Sequence, residues 1–304
     1  MIRIKTRQIF PPKGSIIHVG DQNFHVNIEG NKTSLPTVIF ESGYYPTGGS
    51  SLIWEKIQNE ISEHTKTISY DRAGILGSEP SKNELTTDRI LENFHGILKK
   101  VDGDGPYIIV AHSISGMSAR AFTAQYPEMV CGLVLIDVTH PEAYEKIPKE
   151  ILGNQSPRNL TWIKFLSFIG YLRLTNSYRY PATRANDSIN IISNAFFPEK
   201  ATSIAEEKNL KMEWSEKIKN NRFLGNLPIR IIYAGGEKVI SGFPSRKQGE
   251  LYNTIWEKLQ QDMPTLSNDT ELIEAKKSGH YIPLEQPDLV TKTILDLLRQ
   301  IEDE

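Results

Sequence analysis

Pro106-Tyr-Ile-Ile-Val-Ala-His-Ser-Ile-Ser-Gly-Met-Ser-Ala-Arg120 is the stretch on which the reading of this chain turns. Tyr107 to Val110 form an apolar strand that runs into His112–Ser113, and helical spacing begins at once. A strand that becomes a helix with almost no loop forces its corner residue into a strained conformation and lifts that side chain clear of the sheet. The positions two before and two after the corner must be small, because strand and helix nearly touch there. Ala111 and Ser115 meet that demand where glycines are usual, and Gly116 follows. Ser113 is therefore the candidate nucleophile. The bland alternative is a serine that caps a helix.

A serine hydroxyl at neutral pH needs a histidine to take its proton, and the histidine needs a carboxylate to fix its tautomer. Of seven histidines, His280 sits in the loop Lys277-Ser-Gly-His-Tyr-Ile-Pro283, between the last strand and the last helix. Two acids compete. Asp137 ends the strand Gly132–Ile136, 137 − 113 = 24 residues after the serine, a spacing of one helix, a connection and a strand. Glu237 follows the next strand, within Ala234-Gly-Gly-Glu-Lys238. Asp137 is favoured because its shorter side chain is held more rigidly and because Glu237 lies in a glycine-flanked loop.

The charge developing on an attacked carbonyl oxygen calls for two backbone N–H donors. Ile114, at the positive end of the helix, supplies one. The other is assigned to Tyr44, in the loop Ser42-Gly-Tyr-Tyr-Pro-Thr-Gly-Gly-Ser-Ser51 after the strand Thr37–Glu41. The Gly-Gly-Ser-Ser run there lacks the following Lys-Ser/Thr of a phosphate loop.

Outward from these motifs the pattern is regular. Strands are expected at Ser15–Val19, Asn23–Ile28, Thr37–Glu41, Lys66–Tyr70, Leu133–Ile136, Ile229–Tyr233 and Leu272–Ala275. Helices are phased by Trp54, Ile57 and Ile61; by Ile90, Phe94, Ile97, Leu98 and Val101 behind the cap signal Thr86-Thr87-Asp88; by Leu251, Ile255 and Leu259; and by Val290, Ile294, Leu297 and Ile301. Alternating strands and helices imply an α/β fold, a mostly parallel sheet with helices on both faces. From about His140 to Asn226 the alternation stops and only helical patterns remain. The expected organisation is a core of residues 1–140 and 226–304, interrupted by a helical cap at 141–225 over the sheet edge where ligands bind. Within that insertion, residues 160–174 are apolar nearly all round but shorter than the roughly 18 to 20 residues that span a bilayer. The working expectation buries this segment against the core, with Trp162, Phe165 and Phe168 lining the substrate pocket. An interfacial membrane helix and a dimer surface are the alternatives.

Apolar residues at 38% and charged residues at 24% suit a globular protein, and a net charge of −2 with scattered Lys and Arg argues against nucleic acid as a partner. Cys131 stands alone, excluding an intrachain disulfide, and is expected to be buried and inert. No Cys/His spacing suggests a metal, and no cofactor is implied. The first ten residues lack the apolar core of a secretory signal, giving a cytoplasmic expectation with no stable membrane insertion.

Together these motifs resemble the α/β-hydrolase fold family. The resemblance covers nearly the whole chain outside the cap. Besides the serine corner it rests on Glu41-Ser42-Gly43 with Trp54, on Tyr70-Asp-Arg-Ala-Gly-Ile-Leu-Gly-Ser78, on Leu135-Ile136-Asp137 and on Ser278-Gly279-His280. The order serine, acid, histidine is the family's order. The resemblance implies a structural role for the Asp71-Arg72 turn, with Arg72 pinning the loop, and is compatible with an acid after either strand considered above. It also implies a hydrolase, here one acting on an ester, thioester or lactone of a small apolar molecule. Within this fold a serine nucleophile argues against the aspartate mechanism of haloalkane dehalogenases and epoxide hydrolases. A ligand receptor with little turnover is the rival reading from another class; transacylase and cofactor-free haloperoxidase activities are lesser ones.

Overall fold

A computed structural model describes Ile9 and residues 13–43, 51–154, 187–219 and 223–303, with positions 162, 165, 166, 169, 171, 175 and 183 between them. Eight strands form one sheet: β1 (Ser15–Val19), β2 (Gln22–Glu29), β3 (Thr37–Glu41), β4 (Thr67–Tyr70), β5 (Tyr107–His112), β6 (Val130–Ile136), β7 (Ile229–Tyr233) and β8 (Thr270–Glu274). Their spatial order is β1-β2-β4-β3-β5-β6-β7-β8. β1–β2 and β2–β4 are antiparallel, and every later pairing is parallel. The expected strands are all present, within a few residues at each end.

The longer helices are α1 (Glu55–Ile61), α2 (Thr87–Val101), α3 (Ser115–Gln125), α4 (Ser188–Asn209), α5 (Lys211–Lys219), α6 (Arg246–Asp262) and α7 (Pro287–Asp303). The period-two alternation of the central strands sends side chains to two separate cores. Ile39, Ile109, Leu133, Leu135 and Ile231 pack with Phe94 and Ile97 of α2, Met117 of α3 and Trp214 of α5. Val38, Phe40, Val110, Val134 and Ile232 pack with Ile57 and Ile61 of α1 and Val290, Ile294 and Leu297 of α7. Central strands that are apolar on both faces therefore need helices on both faces. Each fully buried Ile or Leu in these layers contributes roughly 1.5–3 kcal/mol relative to exposure.

The cap signal ahead of α2 behaves as expected: the Thr86 side chain accepts a hydrogen bond from the Arg89 N–H at 3.2 Å. α6 keeps two of its three expected apolar positions, with Leu259 buried and Ile255 packed on the same cluster, but not the third. Leu251 is exposed, and the buried positions are Gly249, Asn253, Trp256, Leu259 and Gln260. Long-range partners set this rotation, since Asn253 Oδ1 accepts from the Gly236 N–H at 2.9 Å and Trp256 reaches the end of β6. Among the described residues, no helix is long and apolar enough to cross a membrane.

Candidate active site

β5 ends at His112, and α3 begins at Ser115, so the chain reverses at Ser113. Ser113 has φ +63°, the left-handed region that non-glycine residues rarely occupy, which is the strain expected of a corner residue. Its backbone is held on both sides: Ser113 N–H donates to Ile136 O at 3.0 Å, and Thr139 N–H donates to Ser113 O at 3.0 Å. Ser115 does more than stay small. Its hydroxyl accepts from the His112 N–H at 3.0 Å and lies 2.9 Å from Glu41 O, joining the ends of β5 and β3. A glycine at this position would lack these bonds. Gly116 must remain bare, because a Cβ there would fall 2.5 Å from Val138 Cβ.

His280 Nε2 lies 3.0 Å from Ser113 Oγ, and His280 Nδ1 lies 2.7 Å from Asp137 Oδ2. The other oxygen, Asp137 Oδ1, accepts from the Ala234 N–H at 2.9 Å and the Trp256 Nε1–H at 2.8 Å. Donors thus converge on this carboxylate, which suits an ionised acid that accepts the Nδ1–H of His280 and leaves Nε2 free to accept from the serine. Asp137 also has positive φ, +43°, where the chain leaves β6. Its side chain is 3% exposed, against 34% for His280, so the acid is sheltered while the imidazole faces the opening. The loop behind His280 is braced by Glu285, which accepts the Gly279 N–H at 2.6 Å, and by Gln286, which accepts the Lys277 N–H at 2.8 Å.

Glu237, the competing acid, does not join this group. It is 67% exposed and pairs with the guanidinium of Arg246 at 2.8 Å and 3.0 Å. A side chain at the first turn of a short surface helix is turned outward, whereas Asp137 leaves the end of a central strand directly beside the serine corner.

The N–H of Ile114 has no acceptor among the described residues, as the first turn of a helix allows. Tyr44, assigned as the second donor, lies outside the described residues. Its neighbour Gly43 is described: a Cβ built on Gly43 would come within 2.7 Å of Ser113 Cβ and 3.3 Å of Ser113 Oγ. The start of that loop therefore touches the serine, and only glycine fits.

Trp162 and Phe165 depart from expectation. They are 57% and 49% exposed and stack on each other with ring centroids 5.3 Å apart, and Ile169 is exposed as well. These side chains are not buried against the core; among the described residues, α4 makes apolar contacts over the sheet edge. Phe168 lies outside the described residues. On α4, Ile192, Ala195 and Phe196 pack with Leu52, Ile75 and Leu76, while Ile189 packs with the cluster containing Tyr281. Cys131 is half-buried rather than fully buried, and burial pushes its thiol up to about 11, which suits an unreactive side chain. Among the described residues, no three His, Cys, Asp or Glu side chains are grouped to hold a metal ion.

Sequence reasoning missed His112. Its Nε2–H donates to the backbone carbonyl of His280 at 2.7 Å, and its ring lies 4.7 Å from the His280 ring. Burial, followed by the neighbouring His280, pulls its pKa down to about 3. An unfolded histidine takes its proton near pH 6.5. Between these values the unfolded chain binds more protons than the folded one, so this contribution to stability is whole above pH 6.5 and is lost as pH falls toward 3. Urea unfolding at pH 7 and pH 4.5 should therefore show a smaller loss for His112→Gln, whose amide can repeat the donation, than for the wild type. An equal loss in both would refute the assignment of a neutral His112.

The model of the alpha/beta hydrolase fold matches residues 36–224, well over half of the chain. The chain belongs to the alpha/beta hydrolase fold family. The uncharacterised protein YqjL of Bacillus subtilis is 25% identical over 263 residues, covering 86% of this chain and 83% of that protein. A mutant of an epoxide hydrolase from Bacillus megaterium superposes with a TM-score of 0.68 at 16% identity, covering 94% of this chain and 100% of its own. A thermophilic esterase from Thermogutta terrifontis superposes with a TM-score of 0.63 at 16% identity, covering 95% of this chain and 99% of its own. At such identities the structural likeness speaks for the fold.

Proposed function

We propose that this alpha/beta hydrolase cleaves an ester, thioester or lactone of a small apolar substrate through an acyl-enzyme on Ser113. The observation that supports it is the continuous relay Asp137–His280–Ser113, with contacts of 2.7 Å and 3.0 Å. In the first half-reaction Ser113 Oγ bonds to the acyl carbon as His280 Nε2 takes the hydroxyl proton. The carbonyl π electrons move onto oxygen, and the resulting oxyanion accepts hydrogen bonds from the Ile114 N–H and the N–H after Gly43. The tetrahedral intermediate collapses, the C–O or C–S bond breaks, and His280 returns its proton to the leaving alkoxide or thiolate. Water then repeats the sequence on the acyl-enzyme, releasing the acid and restoring Ser113. No step draws on a cofactor. Residues 141–225 serve as a cap over the site, a role supported by the apolar packing of α4 on Leu52, Ile75 and Leu76.

The test is fluorophosphonate labelling alongside turnover of p-nitrophenyl esters of graded chain length and a panel of lactones. One label per chain, on Ser113, with steady turnover of at least one of these classes is the expected result. A chain that neither labels nor turns over any of them, or that binds one tightly and releases it unchanged, would refute the proposal and favour a receptor.

A further inference from the structure

We infer that Glu207, in the helical segment far from the triad in sequence, is a positioning residue for the oxyanion hole, acting through Arg72 on the peptide unit that follows Gly43. The inference rests on the acyl-transfer reading above.

Arg72 lies in the turn after β4, and its guanidinium is buried, with its side chain 7% exposed. On one side it grips Glu207 of α4 bidentately, Nε to Oε1 at 2.7 Å and Nη2 to Oε2 at 3.1 Å. On the other it donates to Glu41 Oε1 at 3.1 Å, to the Ser42 carbonyl and to the Gly43 carbonyl at 3.2 Å. A forked pair of this kind fixes the plane of the guanidinium as well as its place, which a point charge cannot do.

The Gly43 carbonyl carries the consequence. It belongs to the same planar peptide unit as the N–H assigned as the second oxyanion donor, so whatever fixes that carbonyl fixes the direction of the N–H. A charged donor on the carbonyl oxygen also polarises the amide and strengthens its N–H as a donor. The preceding residue, Asp71, holds the far end of the same loop. Its Oδ1 accepts from the Ser51 N–H at 3.0 Å and the Ser51 hydroxyl at 3.2 Å. Consecutive residues of one turn thus tie down both ends of the stretch 43–51, and Glu207 fixes the orientation of the arginine.

Two carboxylates face this one guanidinium, and only Glu207 meets it bidentately. Burial pushes the Glu41 carboxyl above its usual range, and the second carboxylate adds to that shift. Two buried acids around one base are electrostatically unfavourable in this position. The second acid supplies geometry: with Glu41 alone, the fork is free to close on Glu41 and leave the Gly43 carbonyl.

An oxyanion donor acts on charge present only in the transition state, so its misplacement lowers kcat and spares KM. Glu207→Gln should lower kcat by about 10- to 100-fold with KM for p-nitrophenyl butyrate within about 2-fold. That is less than the ~10²–10³ loss seen when a whole donor is removed. The pH profile of kcat should not move, since Asp137 and His280 are untouched. Rates are taken per active site titrated with fluorophosphonate to completion, which removes any inactive fraction. Arg72→Lys keeps the charge without the fork and should show the same split. Wild-type kcat in Glu207→Gln, or a rise in KM with kcat retained, would overturn the inference while leaving the acyl-transfer reading intact. Inertness of the wild type would instead strike at that reading itself. If Glu207→Gln does not melt cooperatively, Arg72→Lys decides by the same criteria, and failure of both to fold would make the pair a requirement of the fold and overturn the positioning role.

Discussion

Ser113→Ala is expected to abolish fluorophosphonate labelling and to lower kcat for ester hydrolysis by ~10³ or more, with the melting temperature nearly unchanged. The size of the loss follows from the way triad members act as a unit: without the nucleophile, the imidazole and its acid have nothing to activate, and only the oxyanion donors and binding remain. The fold should survive because Ser113 Oγ is bonded to His280 alone, while the corner is held by backbone bonds to Ile136 and Thr139 that alanine retains. Alanine bears the positive φ no worse than serine does. Mass spectrometry of the labelled protein and steady-state rates of the purified variant check both halves. Turnover at the wild-type rate in unlabelled Ser113→Ala would remove the serine from the chemistry.

The second large effect belongs to the acid. Asp137→Asn should lower kcat by at least ~10², because an amide cannot offer acceptors to all the donors that converge on this side chain. If the amide oxygen keeps the bonds from Ala234 and Trp256, the NH₂ faces His280 Nδ1, and the imidazole is driven into the tautomer that cannot accept the serine proton. If the amide turns over, two buried N–H groups lose their acceptor, at about 1–3 kcal/mol each. A lower melting temperature accompanying the second arrangement would separate the two. Glu237→Gln is the control: exposed and paired with Arg246, it should change kcat by less than about 2-fold. If the two variants exchanged effects, the acid would lie after β7 and Asp137 would be a structural group.

Much of the scaffold was legible from local pattern. The strands of a sheet buried on both faces read as continuous apolar runs, and the helices that cover them carry apolar stripes at a period of 3.6. The serine corner was legible for the same reason, since the strand, the small residues around Ser113 and the helix all lie within one short stretch. α6 marks where this reasoning stops. Its aliphatic stripe pointed to Leu251, yet the helix turns Asn253 and Trp256 inward to meet Gly236 and Asp137. The bonds to those buried polar groups outweigh the exposure of one leucine, whose burial is worth roughly 1.5–3 kcal/mol. The segment around Trp162 and Phe165 shows a related failure. Apolar content alone does not say which side chains of a helical insertion are buried: Trp162 and Phe165 are exposed, while Ala195 and Phe196 of α4 are buried and pack with Ile75 and Leu76.

By itself the sequence determined the layered α/β architecture, the corner that presents Ser113 and the loop that carries His280, because each is written in the spacing of neighbouring residues. Only the tertiary structure put Asp137, and not Glu237, within hydrogen-bonding reach of His280, brought the ring of His112 against His280 and joined Glu207 to Arg72. These pairings link residues 143, 168 and 135 positions apart. No periodicity connects such positions. Their meeting depends on the register of parallel strands and the rotation of helices about their axes, and a carboxylate lies within hydrogen-bonding reach only after both are set.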